Sequence, residues 1–113
     1  MENLFKSYTL EQAMESLSAC REMLLSIYNK GNVPFDNDDA NVINQSISTL
    51  YVLMNDTINE LQVTPIFCAL VKAQTKLHTQ KIKSETNFFD TEDHKVDLAE
   101  AITFVEEAID QLK

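Results

Sequence analysis

The sequence predicts an all-α protein, an antiparallel four-helix bundle that forms a single domain over residues 1–113. The chain has one glycine and two prolines among 113 residues, so it has few of the residues that tight turns and bulges require. Apolar residues recur at alternating steps of three and four over four long segments, the spacing that places them on one face of an α-helix. The alternative is a helical hairpin pair that completes its core by dimerising.

The first helix is predicted over residues 10–30. Thr9 is suited to cap its N-terminus, and Gln12 completes a capping box three residues later. Gly31 stands where a left-handed residue commonly ends a helix. The inner face is a continuous stripe of Leu10, Ala13, Leu17, Cys20, Leu24 and Ile27.

The second helix is predicted to end near residue 62, with Asn37 or Asp38 as its N-cap. Its inner stripe is Ile43, Ile47, Leu50, Met54, Ile58 and Leu61, and the apolar surface is extended by Val42, Tyr51, Val52 and Leu53. Because these residues exceed one stripe, we expect this helix to be the most buried of the four.

The third helix begins at Pro65, since a threonine followed by proline at the first helical position is a common start. It is predicted to reach residue 81, with Ile66, Leu70, Ala73 and Leu77 inward and Phe67 and Val71 beside them. Residues 84–89 are predicted to form a loop.

The fourth helix is predicted to be capped by Asp90 or Thr91 and to end at Leu112. Its stripe is the most regular in the chain: Leu98, Ile102, Val105, Ile109 and Leu112, broadened by Ala101, Phe104 and Ala108.

The formal net charge of the chain is −9. Nucleic acids and anionic membranes attract basic surfaces, so we expect neither as a direct partner. No apolar run approaches the roughly 18 residues of a membrane span. The first six residues also lack the apolar run of a signal peptide, so a cytoplasmic location is expected. Cys20 and Cys68 fall on apolar helix faces and are predicted to be buried, reduced thiols.

We expect a non-catalytic protein without a cofactor or a metal. A di-iron bundle needs a glutamate three residues before each ligating histidine, and neither His78 nor His94 has one. The remaining arrangement for a metal is Asp90, His94 and Asp97, which share one face of the fourth helix. An exposed histidine among acids of a first turn is the simpler interpretation.

Charge is distributed unevenly along the chain. Residues 63–84 contain four lysines and no acid, whereas residues 85–113 contain nine acids against two lysines. Lys72, Lys76 and Lys83 share one face of the third helix. The corresponding acidic face of the fourth helix is Asp93, Asp97, Glu100 and Glu107. The simplest interpretation is two solvated faces with some ion pairs between neighbouring helices.

The acidic face also permits a functional interpretation. Carboxylates one helical turn apart are spaced about 6 Å, close to the spacing of phosphates along a nucleic-acid strand. Small acidic inhibitors of restriction or CRISPR complexes, encoded by phages and mobile elements, use such a face as a nucleic-acid mimic. A helix-turn-helix protein that binds DNA through the lysines of the third helix is a further alternative, which the net charge opposes.

A protein–protein interaction module, such as an adaptor, immunity or regulatory protein, is the function that the sequence favours. It follows from apolar residues in excess of one core stripe, which would form a surface for another protein or a second copy: Tyr51, Val52, Leu53, Phe67, Val71, Phe88 and Phe89. An apolar interface would tolerate added salt, whereas binding by mimicry would weaken as ions screen it.

Overall fold

The computed structural model describes residues 4–31, 35–58, 64–85 and 95–113, without the side chains of Ser84 and Glu85. Four helices account for most of them: α1 (Leu10–Tyr28), α2 (Asn37–Asp56), α3 (Pro65–Glu85) and α4 (Val96–Leu112). Each helix packs against two others, with α1 diagonal to α3 and α2 diagonal to α4. This is the packing of a four-helix bundle, so the prediction of an all-α four-helix bundle is confirmed.

Polar contacts between neighbouring helices show how the helices are aligned. Lys83 pairs with Asp97 and Lys76 with Glu100, so residue numbers rise along α4 as they fall along α3. The same order holds for α1 and α2, because the chain at Lys6 contacts Asp56 while Lys30 contacts Asp39. The predicted antiparallel arrangement requires this order.

The capping residues of α1 are the predicted ones, but the helix ends earlier than predicted. The side chain of Thr9 accepts a hydrogen bond from the backbone of Gln12, whose side chain accepts one from the backbone of Thr9, at 3.0 Å each. The capping box is therefore confirmed. The helix ends at Tyr28, two residues early, and Gly31 has the expected positive φ of 85°.

Both ends of α2 differ from the prediction. The N-cap is Asp36, because its carboxylate accepts a hydrogen bond from the backbone of Asp39 and the carboxylate of Asp39 accepts one in return. Neither Asn37 nor Asp38 caps the helix. At the other end α2 stops at Asp56, six residues early, and Thr57 adopts an extended conformation.

The buried face of α2 is rotated from the predicted stripe, and it consists of Asp39, Ile43, Ser46, Leu50 and Leu53. Ile47 and Met54 are half-buried, Ile58 is exposed, and Leu61 lies outside the described residues. The two buried polar positions, Asp39 and Ser46, are invisible to a search for apolar spacing. The expectation that this helix is the most buried is also wrong, since α4 buries eight residues and α2 five.

The inner faces of α3 and α4 match the prediction. Every residue of the predicted stripes of these two helices is buried. The hydroxyl of Thr64 accepts a hydrogen bond from the backbone of Phe67 at 3.2 Å, which confirms the start of α3 at Pro65. α3 continues to Glu85, into the predicted loop, and α4 begins only at Val96. The proposed caps Asp90 and Thr91 lie outside the described residues.

An element that the sequence did not predict precedes α1. Residues 4–8 run alongside the end of α2, where Phe5 pairs with Thr57 in an isolated β-bridge. The backbone of Lys6 donates to the carbonyl of Asp56 at 2.7 Å, and that of Ile58 donates to the carbonyl of Leu4 at 2.8 Å. The Phe5 side chain is 1% exposed and belongs to the core. We call residues 4–8 the N-terminal strap.

The carboxylate of Asp56 fastens this strap. It accepts hydrogen bonds from the backbone of Ser7 at 2.9 Å and of Tyr8 at 3.0 Å. Burial raises the pKa of Asp56, but these hydrogen bonds outweigh burial, and the net result is a lowered pKa. The pKa of Asp36 is also lowered, first by the backbone hydrogen bond from Asp39.

These two carboxylates predict acid sensitivity. Their folded-state pKa values lie below the ordinary value of 3.8, so the stability they contribute is complete above that pH and is lost as pH falls through the lowered values. We expect the thermal midpoint to be flat above about pH 5 and to fall below about pH 4. Asp56→Asn keeps an acceptor but removes the titration, so its midpoint should fall less steeply. An identical pH profile for the variant would contradict this account.

No helix in the described ranges is long and apolar enough to cross a membrane.

Candidate interaction surfaces

The acidic face predicted on α4 is largely paired with α3. Asp97, in the first turn of α4, is 7% exposed, and its carboxylate lies 2.5 Å from the ammonium of Lys83. Its assignment as an exposed partner-binding residue is therefore wrong. Leu98, Ala101 and Val105 occupy the inner face of α4. Asp97 immediately precedes Leu98, so it lies at the edge of that face, on the side of α3.

Glu100 is half-buried and is also paired. Its carboxylate lies 2.8 Å from the ammonium of Lys76, and this hydrogen bond is the first cause of a raised pKa for Lys76. One turn further along, the ammonium of Lys72 lies 5.6 Å from the centre of the Phe104 ring, within the range of a cation–π contact. The basic face of α3 and the acidic face of α4 thus meet each other. Glu107 is exposed, and Asp93 lies outside the described residues.

The apolar candidates that lie within the described residues divide into three groups. Tyr51 is 58% exposed and Val52 is 45% exposed, so both lie on the surface of α2 as predicted. Leu53 is 1% exposed and belongs to the core, so its place among the surface candidates is wrong. Phe67 and Val71 are half-buried on α3. Phe88 and Phe89 lie outside the described residues.

The first turns of α3 have an apolar outer surface. A shallow pocket of about 170 Å³ is lined there by Phe67, Cys68, Val71 and Lys72. Cys68 is half-buried, whereas Cys20 is fully buried in the core. The expectation of two buried thiols therefore holds for Cys20 alone. Burial raises the pKa of the Cys20 thiol, and this effect is larger than the opposing effect of the Ser46 hydroxyl. Because the thiolate is the reactive form, we expect Cys20 to be unreactive.

The rest of the outer face of α3 is uncharged along its centre. Thr75, Thr79 and Ile82 follow Val71 at steps of four, four and three, and Ile82 is 60% exposed. Both threonine hydroxyls donate to the backbone four residues earlier, Thr75 to Val71 at 2.8 Å and Thr79 to Thr75 at 3.0 Å. We call Cys68, Val71, Thr75, Thr79 and Ile82 the α3 stripe. It lies opposite the buried face of the helix.

A polar cluster at one end of the bundle was not predicted. The ammonium of Lys30 lies 2.6 Å from the carboxylate of the buried Asp39. Nearby, the buried Lys95 donates to the carbonyls of Ile27 at 2.9 Å and Tyr28 at 3.4 Å, at the C-terminus of α1. Burial lowers the pKa of Lys95. Lys95 thus stabilises the negative end of α1 from another helix, a role that no local sequence pattern reveals.

A groove between α1 and α4 is polar and of mixed charge. It has a volume of about 380 Å³ and is lined by Met14, Ser18, Arg21, Glu22, Glu106, Ile109, Asp110 and Lys113. Arg21 lies 2.9 Å from Glu22 and 3.7 Å from Glu106. The groove has three acidic and two basic side chains, and most of this charge is paired within the chain.

Among the residues that the structure describes, no group of three or more histidine, cysteine, aspartate or glutamate side chains could hold a metal ion. Of the metal ligands considered from the sequence, Asp90 and His94 lie outside those residues, and Asp97 is paired with Lys83. Comparison of the chain with protein-family models, with curated proteins and with solved structures found no match.

Proposed function

We propose that this protein is a small, acidic, non-catalytic protein–protein interaction module that binds its partner through an apolar surface of α2 and α3. The observation that carries the proposal is the concentration of accessible apolar side chains around the start of α3. The exposed Tyr51 ring lies on α2, and the pocket lined by Phe67, Cys68 and Val71 lies on α3. Exposed aromatic rings beside apolar pockets are typical of the centres of protein interfaces.

The alignment of α2 and α3 supports one continuous surface. The side-chain amide of Gln74 donates to the carbonyl of Ile47 at 3.3 Å, which places these two residues at the same level. Tyr51 lies one turn closer to the end of α2, and Val71 lies one turn closer to the start of α3. Because a short connection joins those two ends, we infer that Tyr51 and Val71 are at the same level on neighbouring helices.

The alternative, an inhibitor that mimics nucleic acid with the acidic face of α4, has less support. A mimic needs carboxylates that are free to meet the basic groove of its target. Asp97 and Glu100 instead contact lysines of α3 at 2.5 and 2.8 Å, and breaking these pairs would oppose binding. Among the described residues of the predicted face, Glu107 is the exposed one.

Affinity capture with two matched variants distinguishes these functions. The tagged wild type, Val71→Glu and the double variant Glu100→Lys/Glu107→Lys are used to capture proteins from the source lysate, with washes at about 0.1 M and 0.5 M salt. We expect a partner that survives the high-salt wash, is lost with Val71→Glu and is retained by the lysine variant. Loss with the lysine variant alone, together with release at high salt, would overturn the proposal in favour of mimicry. Circular dichroism verifies that each variant remains helical.

A further inference from the structure

We propose that the α3 stripe binds the α3 stripe of a second copy of this chain, in opposite directions, about a two-fold axis at Thr75. This inference rests on the proposed function, because Cys68 and Val71 belong to both surfaces, and it names one partner of that surface. Three features of the stripe indicate that its partner is a second copy: its chemistry, its spacing and the charges along its edges.

The chemistry of the stripe suits burial against another protein. The solvent face of a bundle helix is ordinarily charged, but none of the five stripe residues is charged.

The hydroxyls of Thr75 and Thr79 already donate to backbone carbonyls of α3. Covering these threonines therefore leaves no hydroxyl donor without an acceptor, and their methyl groups are available for packing. Ile82, at 60% exposed, is the largest apolar side chain that the stripe offers to a partner.

The spacing of the stripe is symmetric about its centre. Cys68 and Ile82 lie seven residues to either side of Thr75, and Val71 and Thr79 lie four residues to either side. A two-fold axis at Thr75 therefore places Ile82 of each copy against Cys68 of the other, and Thr79 against Val71. Such self-complementarity is what a two-fold interface between identical chains requires.

The edges of the stripe are compatible with this pairing. On the side towards α4, Lys76 of α3 pairs with Glu100 of α4, and Lys72 lies over the ring of Phe104. A two-fold axis places this edge of one copy next to the same edge of the second copy. Each copy then presents both lysine ammonium groups and a glutamate carboxylate to the other. One helix stripe is near the lower limit of about 1,000 Å² for a specific interface, and we expect a weak dimer with a Kd on the order of 10–100 µM.

Sedimentation velocity over a concentration series tests the dimer. We expect the wild type to shift from monomer to dimer, and Ile82→Glu to raise the Kd at least about tenfold, because the interface would bury a charge. Tyr28→Glu is the matched control, since it adds the same charge at an exposed position of α1, the helix diagonal to α3, and should leave the Kd unchanged. A wild type that remains monomeric to about 1 mM, or equal effects of the two variants, would overturn the inference.

A cross-linking experiment tests the direction of pairing. In Ile82→Cys, oxidised glutathione should link the introduced thiol to Cys68 of the second copy, and adding Cys68→Ala should abolish the linked dimer. A linked dimer that persists in the double variant would mean that the helices pair in the same direction, which overturns the proposed axis. Failure of the dimer with retention of a different partner in the capture experiment would refute this inference and leave the proposed function standing.

Discussion

Phe5→Ala is expected to lower the free energy of unfolding by about 3–5 kcal/mol, the usual cost of removing a buried aromatic ring. The loss is large because domain stabilities are only about 5–15 kcal/mol. Phe5 is 1% exposed, and its ring is the part of the N-terminal strap that enters the core. Without it, the strap would be held by its hydrogen bonds with Asp56 and Ile58 and by the partly buried side chains of Leu4 and Tyr8.

Urea unfolding followed by circular dichroism measures this change. Phe67→Ala is the control, because the same ring is removed from a half-buried position on α3 and should cost less. Equal losses for the two variants would show that the strap contributes no more to the core than a surface aromatic does.

Gln80→Leu is expected to destabilise the protein by about 1–3 kcal/mol, although it replaces a buried polar side chain with an apolar one of similar size. The side-chain oxygen of Gln80 accepts a hydrogen bond from the backbone of Leu98 at 3.1 Å. α4 has no side-chain cap of its own at Lys95, so Gln80 satisfies a first-turn N–H from another helix. The substitution would leave that N–H buried without this acceptor.

Gln74→Leu provides the comparison for Gln80. Its amide also crosses between helices, but it donates at 3.3 Å to the carbonyl of Ile47 and is half-buried. We expect a loss below about 1 kcal/mol for this variant. A Gln80→Leu protein as stable as the wild type in urea would contradict the role of Gln80 as a cap.

Local signals in the sequence were sufficient where a single helix determines the outcome. The capping box at Thr9 and the start of α3 at Pro65 depend on residues three apart, and both are confirmed. The regular stripe of α4 is likewise buried throughout. Each of these features involves contacts within one turn or a face defined by clear apolar spacing.

Features that depend on two helices were not predictable in the same way. Leu53 and Tyr51 are both apolar residues near the edge of the same stripe, and only the rotation of α2 decides that Leu53 is buried and Tyr51 exposed. The pairing of Asp97 with Lys83 and the cap from Gln80 depend on residues 14 and 18 positions away. These contacts are determined by how the helices pack against one another. They therefore follow from the folded bundle and not from the local sequence of one helix.

The distribution of polar contacts has a consequence for how the molecule opens. α3 and α4 are joined by two ion pairs, the Lys72–Phe104 contact and the Gln80 cap. α1 and α2 are joined at one end by the N-terminal strap and at the other by Lys30 and Asp39. We therefore expect α3 and α4 to behave as one cooperative unit in the sense used for native-state hydrogen exchange, with their amides becoming accessible to solvent together. α1 packs more extensively on α4, and α2 on α3, than α1 and α2 do on each other, so the α1–α2 pair should not open as a separate unit.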